Sequence, residues 1–191
     1  MPRPGDIPKP PGDDGSAADA ERQNLIACAE LLFFAYRDFT TDPDRLLDQY
    51  GFGRAHHRVL HFVNRNPGLR VADLLLILQI TKQSLARVLK QLIEEGFITQ
   101  RSGKADRRER LLYATAKGSK LADKLADLQV GRIGAALAAA GPGADEMTRR
   151  FLFAMIGEKD QTKVRELIRA AGPADGQPAL DQPQRREAPA T

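Results

Sequence analysis

A mainly α-helical fold with one small β-hairpin, α+β in class, is predicted from three features of the 191-residue chain. Apolar residues recur at helical spacing through most of residues 18–171, as at Leu25, Cys28, Ala29, Leu32, Phe33 and Tyr36. Between residues 97 and 115 that rhythm gives way to two short β-branched and aromatic runs flanking Ser102-Gly103-Lys104-Ala105-Asp106, the pattern of a hairpin. Both ends of the chain are rich in proline and charge, with too little apolar surface to offset the entropy of ordering. The expected organisation is a disordered arm at 1–17, helices at 18–50, a central unit at 51–115, helices at 116–171 and a disordered tail at 172–191.

Residues 1–16 hold five of the twelve prolines, hence the flexible arm. A helix is expected from Ser16 or Asp19 to Asp38. Leu31 and Phe34 widen its apolar stripe beyond what one neighbour covers, and a second subunit is an economical source of the missing contacts. Thr40 to Pro43 interrupts the pattern, and a short helical turn follows at Asp44–Gln49. After Gly51-Phe52-Gly53, a helix from Arg54 to Asn66 buries Val59, Leu60 and Val63 and stops at Pro67-Gly68. A second, short helix over 71–79 carries Leu74, Leu75 and Leu78.

The helix that follows decides the functional reading. From Ile80 to Lys90 onward, Leu85, Val88, Leu89 and Leu92 fall on one face, and Lys82, Gln83, Arg87 and Lys90 on the other. Thr81 stands where an N-cap belongs. Cations at the start and Glu94 and Glu95 at the end oppose the helix macrodipole, so local stability does not explain the order. A helix whose N-terminal end meets a polyanion does. Gly96 suits a left-handed C′ position. Phe97–Arg101 and Leu111–Thr115 then form the hairpin, and two short helices followed by a hairpin make a winged helix-turn-helix. A wing reaches the phosphate backbone or minor groove beside the groove that the helix enters. Thr115 caps a helix from Ala116 to Ala140 carrying Leu121, Leu125, Leu128, Ile133 and Leu137, with a bend expected at Gly131 and Gly134. Gly141-Pro142-Gly143 breaks it, and a last helix is expected over Asp145–Ala170.

The net charge is only +4, from 29 basic and 25 acidic residues, yet residues 96–120 hold seven basic side chains against two acidic ones, a local +5. That points to a partner bearing phosphates. The candidate DNA contacts are Lys82, Gln83, Ser84, Arg87 and Lys90 on the helix, and Arg101, Lys104, Arg107, Arg108 and Arg110 on the hairpin. Each set alone also reads as a solvated surface; their coupling favours DNA. Gln83 and Arg87 have the chemistry to pair bidentately with adenine and guanine.

His56, His57 and His61 are all the histidines of the chain. His57 and His61, four apart, can share a metal, but no third ligand is visible, so a structural or solvent-facing role is preferred over metal sensing. A pH-sensing or ligand-pocket role is the alternative. Cys28 reads as a buried packing thiol, because redox reactivity needs a nearby positive charge and Arg22 is six positions away. A single cysteine leaves no internal disulfide and fits a reducing cytoplasm. The longest apolar run, Leu31 to Tyr36, falls far short of a membrane span, and Asp6 and the prolines exclude a signal-peptide core. No catalytic motif or nucleotide fingerprint is present, so neither enzyme activity nor a cofactor is expected. A winged domain used only for protein docking is the rival reading, against which the +5 segment speaks.

With one helix before the winged unit and two after, the chain resembles the MarR family of bacterial transcription regulators over residues 20–170. The resemblance is carried by Leu92-Ile93-Glu94-Glu95-Gly96-Phe97-Ile98, by Asp106-Arg107-Arg108, and by Ala114-Thr115-Ala116-Lys117-Gly118. Ala114 stands where that family usually has Leu. Within the family, Tyr50-Gly51-Phe52-Gly53-Arg54-Ala55-His56-His57 is similar to PetP-type regulators of alphaproteobacteria. The resemblance implies a cytoplasmic homodimer joined through residues 18–50 and 116–171. Its two winged units would enter successive major grooves of a pseudo-palindromic double-stranded operator, about 10 base pairs apart. It also implies a small-molecule effector held between the dimer helices and the wings, and Arg108 as the wing-tip residue in the minor groove. Asp106 would shape the wing by accepting from a neighbouring basic side chain. Peroxide sensors of the family carry a reactive cysteine in the first helix, which keeps a redox role for Cys28 as an alternative.

Overall fold

The computed structural model describes residues 14–103 and 106–171; the expected arm up to residue 13, the tail from 172 and Lys104 lie outside them. Among the described residues, seven helices and three strands follow in the order α1 (Asp14–Asp48), α2 (Arg54–Arg65), β1 (Leu69–Arg70), α3 (Val71–Leu78), α4 (Lys82–Glu94), β2 (Ile98–Ser102), β3 (Arg110–Ala114), α5 (Ala116–Ala140), α6 (Ala144–Ala154) and α7 (Glu158–Ala171). Two compact units divide between Thr41 and Asp42.

The first unit is the greater part of α1. It starts two residues before the earliest expected position, so residues 14–17, read as part of the arm, are helical. Leu31, Phe33, Phe34 and Tyr36 are exposed on it. The expected break at Thr40–Pro43 is absent, and α1 continues to Asp48. An internal proline costs a helix about 3 kcal/mol. Here Pro43 and Leu47, one turn apart, are both fully buried. Asp42 and Asp44 on the same turn pair with Arg132 and Arg54, each at 2.9 Å. Burial on that scale recovers a few kcal/mol, enough to carry the helix past its proline.

The second unit holds the core. Val59, Leu60 and Val63 of α2, Leu74 and Leu78 of α3, Leu85, Val88, Leu89 and Leu92 of α4, and Leu121 and Leu125 of α5 pack with Phe52, Phe97, Ile98 and Leu112. The sheet has the order β1-β3-β2, all antiparallel. Strand β1 was not expected: two residues are too few to show alternation. They pair with β3 as Leu69 with Leu112 and Arg70 with Leu111. Helix α5 runs unbroken through Gly131 and Gly134, whereas the single last helix expected from Asp145 is two, α6 and α7, parted at Met155-Ile156-Gly157. No helix among the described residues is long and apolar enough to cross a membrane.

Candidate nucleic-acid interface

Helix α3 ends at Gln79, whose left-handed backbone (φ 49°, ψ 44°) turns the chain within two residues into the next helix. Thr81 caps α4: its Oγ1 accepts from the Ser84 amide at 3.1 Å and donates to Ser84 Oγ at 2.9 Å. Such a cap contributes about 1 kcal/mol and fixes where the helix begins. Leu85, Val88, Leu89 and Leu92 anchor one face in the core, so Lys82, Gln83, Arg87 and Lys90 are held on the exposed face. Lys90 lies 3.8 Å from Glu94. Lys82, Gln83 and Arg87 have no polar partner among the described residues. Ser84 stands apart from that set, half-buried and occupied by the cap.

The far end of α4 is fastened from three directions. His56 stacks on Phe52 with ring centroids 4.8 Å apart. Its Nδ1 accepts from the Gly53 amide at 3.1 Å, so the tautomer with hydrogen on Nε2 donates to Gln91 Oε1 at 2.8 Å. Phe52 and Tyr50 meet Phe97 edge-on at 5.1 and 5.5 Å. From α5, Thr115 Oγ1 donates to the Gly96 carbonyl at 2.7 Å and accepts from the Gly118 amide at 3.0 Å. The Lys117 ammonium donates to the Glu95 carbonyl at 2.7 Å and lies 4.0 Å from the Phe97 ring centroid. Lys117 therefore serves the end of α4, although it counted toward the +5 segment. Gly118 is obligatory here, since a Cβ would stand 2.0 Å from the Phe97 carbonyl oxygen. These partners explain in physical terms the Gly-Phe-Ile and Thr-Ala-Lys-Gly segments.

The wing register pairs Ile98 with Ala114, Gln100 with Leu112 and Ser102 with Arg110, and between them Thr99 with Tyr113 and Arg101 with Leu111. Opposed residues share a face, so Arg101 and Arg110 project on opposite sides. The Arg101 guanidinium lies 4.9 Å over the Tyr113 ring, and Arg110 donates to Ser102 Oγ at 3.1 Å. Arg107 and Arg108 are exposed at the tip. Asp106 accepts from the backbone amide of Arg108 at 2.8 Å, not from the basic side chain expected of it. It closes the tip turn through the main chain and leaves the arginines outward. Arg70, which the sequence reading passed over, links this wing to α3, donating to Asp73 and to Glu109.

His57 and His61 are half-buried on α2. Burial lowers the pKa of both. The charge of His61 adds to the lowering at His57 against the pull of Asp44, and that of Arg65 adds to it at His61. Among the described residues no group of three or more His, Cys, Asp or Glu is placed to hold a metal ion. The Cys28 thiol is exposed, not buried as expected, because the flank of α1 that carries it has no neighbour within the chain's first unit.

A sequence model of the MarR family matches residues 50–109. The chain is 53% identical over 127 residues to the HTH-type transcriptional regulator PetP of Rhodobacter capsulatus, covering 66% of this chain and 76% of that one. It is 28% identical over 119 residues to the transcriptional regulator HosA of Escherichia coli O111:H-, covering 62% and 72%. Among solved structures, the transcriptional regulator SlyA superposes with a TM-score of 0.59 at 18% identity over 74% of this chain and 98% of that one. A SlyA-like regulator from Listeria monocytogenes gives 0.57 at 18% identity, over 73% and 91%. At those identities the structural likeness is one of fold.

Proposed function

The chain belongs to the MarR family of transcriptional regulators, and on that premise we propose that it works as a cytoplasmic homodimer gripping a pseudo-palindromic DNA operator. Lys82, Gln83, Arg87 and Lys90 of α4 lie in the major groove. Arg107 and Arg108 follow the adjacent backbone and minor groove, and Arg101, Lys104 and Arg110 contribute to the same field. Ser84 sets the start of α4 by way of the cap. A small molecule bound between the dimer helices and the wings changes the spacing of the two α4 helices, favouring one state over the other. The protein performs no catalysis and needs no cofactor.

The observation that carries this reading is the exposed row of Lys82, Gln83 and Arg87, unpartnered among the described residues, on a helix whose opposite face is locked in the core. A cationic helix start without local neutralisation opposes the dipole and is compensated when phosphates arrive. Selection of genomic fragments by the full-length protein at physiological salt tests it. A recovered set sharing an inverted repeat with half-sites about one turn apart is expected. Retention of fragments without any common sequence, or of none, overturns it in favour of a docking module.

A further inference from the structure

Arg70 occupies the N-cap position of α3 without capping it: the side chain makes no bond to the free amides of the first turn. A cation at a helix start is locally unfavourable. The guanidinium is directed elsewhere. Nε and Nη2 grip the two carboxylate oxygens of Asp73 at 2.6 and 2.9 Å, and Nη1 reaches Glu109 Oε1 at 3.3 Å. The sheet makes that reach natural, because Arg70 pairs with Leu111, and Glu109 lies two residues along, on the same face. The other Glu109 oxygen lies 3.1 Å from where a Cβ on Gly103 would stand, so the carboxylate is seated in the base of the tip loop. Main-chain bonds complete the seat: Gly103 donates to the Glu109 carbonyl and Glu109 to that of Asp106, both at 3.1 Å.

Glu109 is otherwise ill placed. It sits among Arg107, Arg108 and Arg110, where a negative charge opposes a phosphate backbone. Between the wing and the helix-turn-helix, its bond to Arg70 is the one side-chain ion pair among the described residues. The two-residue β1 pairs with Leu111 and Leu112 toward the tip end of β3, and the Arg70–Glu109 bond extends that attachment to the tip turn.

We propose that Arg70 is a positioning residue that sets the wing against α4, with Glu109 as its handle and Asp73 as its fixed point. This rests on the DNA-binding reading above. The planar fork is essential, since one guanidinium holds two carboxylates with three separate nitrogens, which an ammonium does not reproduce.

The decisive variant is Glu109→Gln in the full-length protein. Charge alone predicts tighter DNA binding on removing an acid; loss of wing positioning predicts weaker binding. The expected result is roughly threefold or greater weakening on the genomic fragments recovered by the wild type, with binding to random duplex equal or tighter. Arg70→Gln weakens the same fragments, and Arg70→Lys does not restore them. In the free protein, amide hydrogen exchange at Gly103 and Glu109 rises in Glu109→Gln and Arg70→Gln while the urea midpoint holds. Fragment binding that is unchanged or tighter in Glu109→Gln overturns the proposal. If the wild type recovers no fragment, the DNA-binding reading fails by itself, and unchanged wing exchange in both variants then overturns the clamp independently.

Discussion

Gly118 shows how a single residue can be visible in a sequence while its reason stays hidden. The Thr-Ala-Lys-Gly run marked the resemblance, but nothing local says that α5 and Phe97 approach so closely that a methyl group would collide with a backbone oxygen. Backbone does not yield cheaply. Gly118→Ala is expected to lower stability by about 3 kcal/mol or more, read from urea unfolding. Arg87 is the reverse case: exposed on α4 and without a polar partner among the described residues, it has no structural duty there. Arg87→Ala should cost about 1–3 kcal/mol on the operator with stability unchanged; equal loss on random duplex removes it from base reading. His56 belongs by sequence to the histidine cluster and Lys117 to the +5 segment, yet both secure the end of α4. One side chain carries too little information to choose between such roles, because the partner atoms lie 35 and 22 positions away.

Among the elements, the long amphipathic ones were legible and the short or compensated ones were not. Helix α4 follows directly from its apolar spacing and its cap. The course of α1 through Pro43 does not, because the compensation is the burial of Pro43 and Leu47, which local spacing does not reveal. The hairpin was placed within a residue at each strand, but only the register separates Arg101 and Arg110 onto opposite faces. The tip arginines are then the ones left to the backbone. Arg108→Ala should weaken DNA binding and flatten its salt dependence by about one unit of slope; an unchanged slope excludes a phosphate contact. On α2, burial holds His57 and His61 below the ordinary histidine value. Below about pH 6.5 the unfolded chain takes up protons that the folded one refuses, so stability falls with falling pH and is level above it. Urea midpoints between pH 8 and 5.5 should show that fall, and His57→Gln with His61→Gln should shrink it. An undiminished fall assigns it to other groups.

At the scale of the molecule, the family and the PetP-type resemblance read from the motifs are borne out by a relative sharing 53% of aligned residues. Large apolar side chains stand open to solvent on α1 and α6. Phe33 is 71% exposed on α1, Met147 65% and Phe151 55% on α6. Side chains of this size are seldom left to water in such numbers, and a two-fold partner is the expected cover. Phe33→Glu and Phe151→Glu should each yield monomers in sedimentation and lose affinity for a two-half-site operator while a single half-site is bound as before. Persistent dimers in both variants place the interface elsewhere. One further consequence belongs to the junction where Thr115, Lys117 and Gly118 seize the closing turn of α4. Hydrogen bonds from Thr115 and Lys117 tie that turn to the opening turn of α5. A twist imposed along α5 is therefore expected to turn α4 with it, moving the Thr81 end the most.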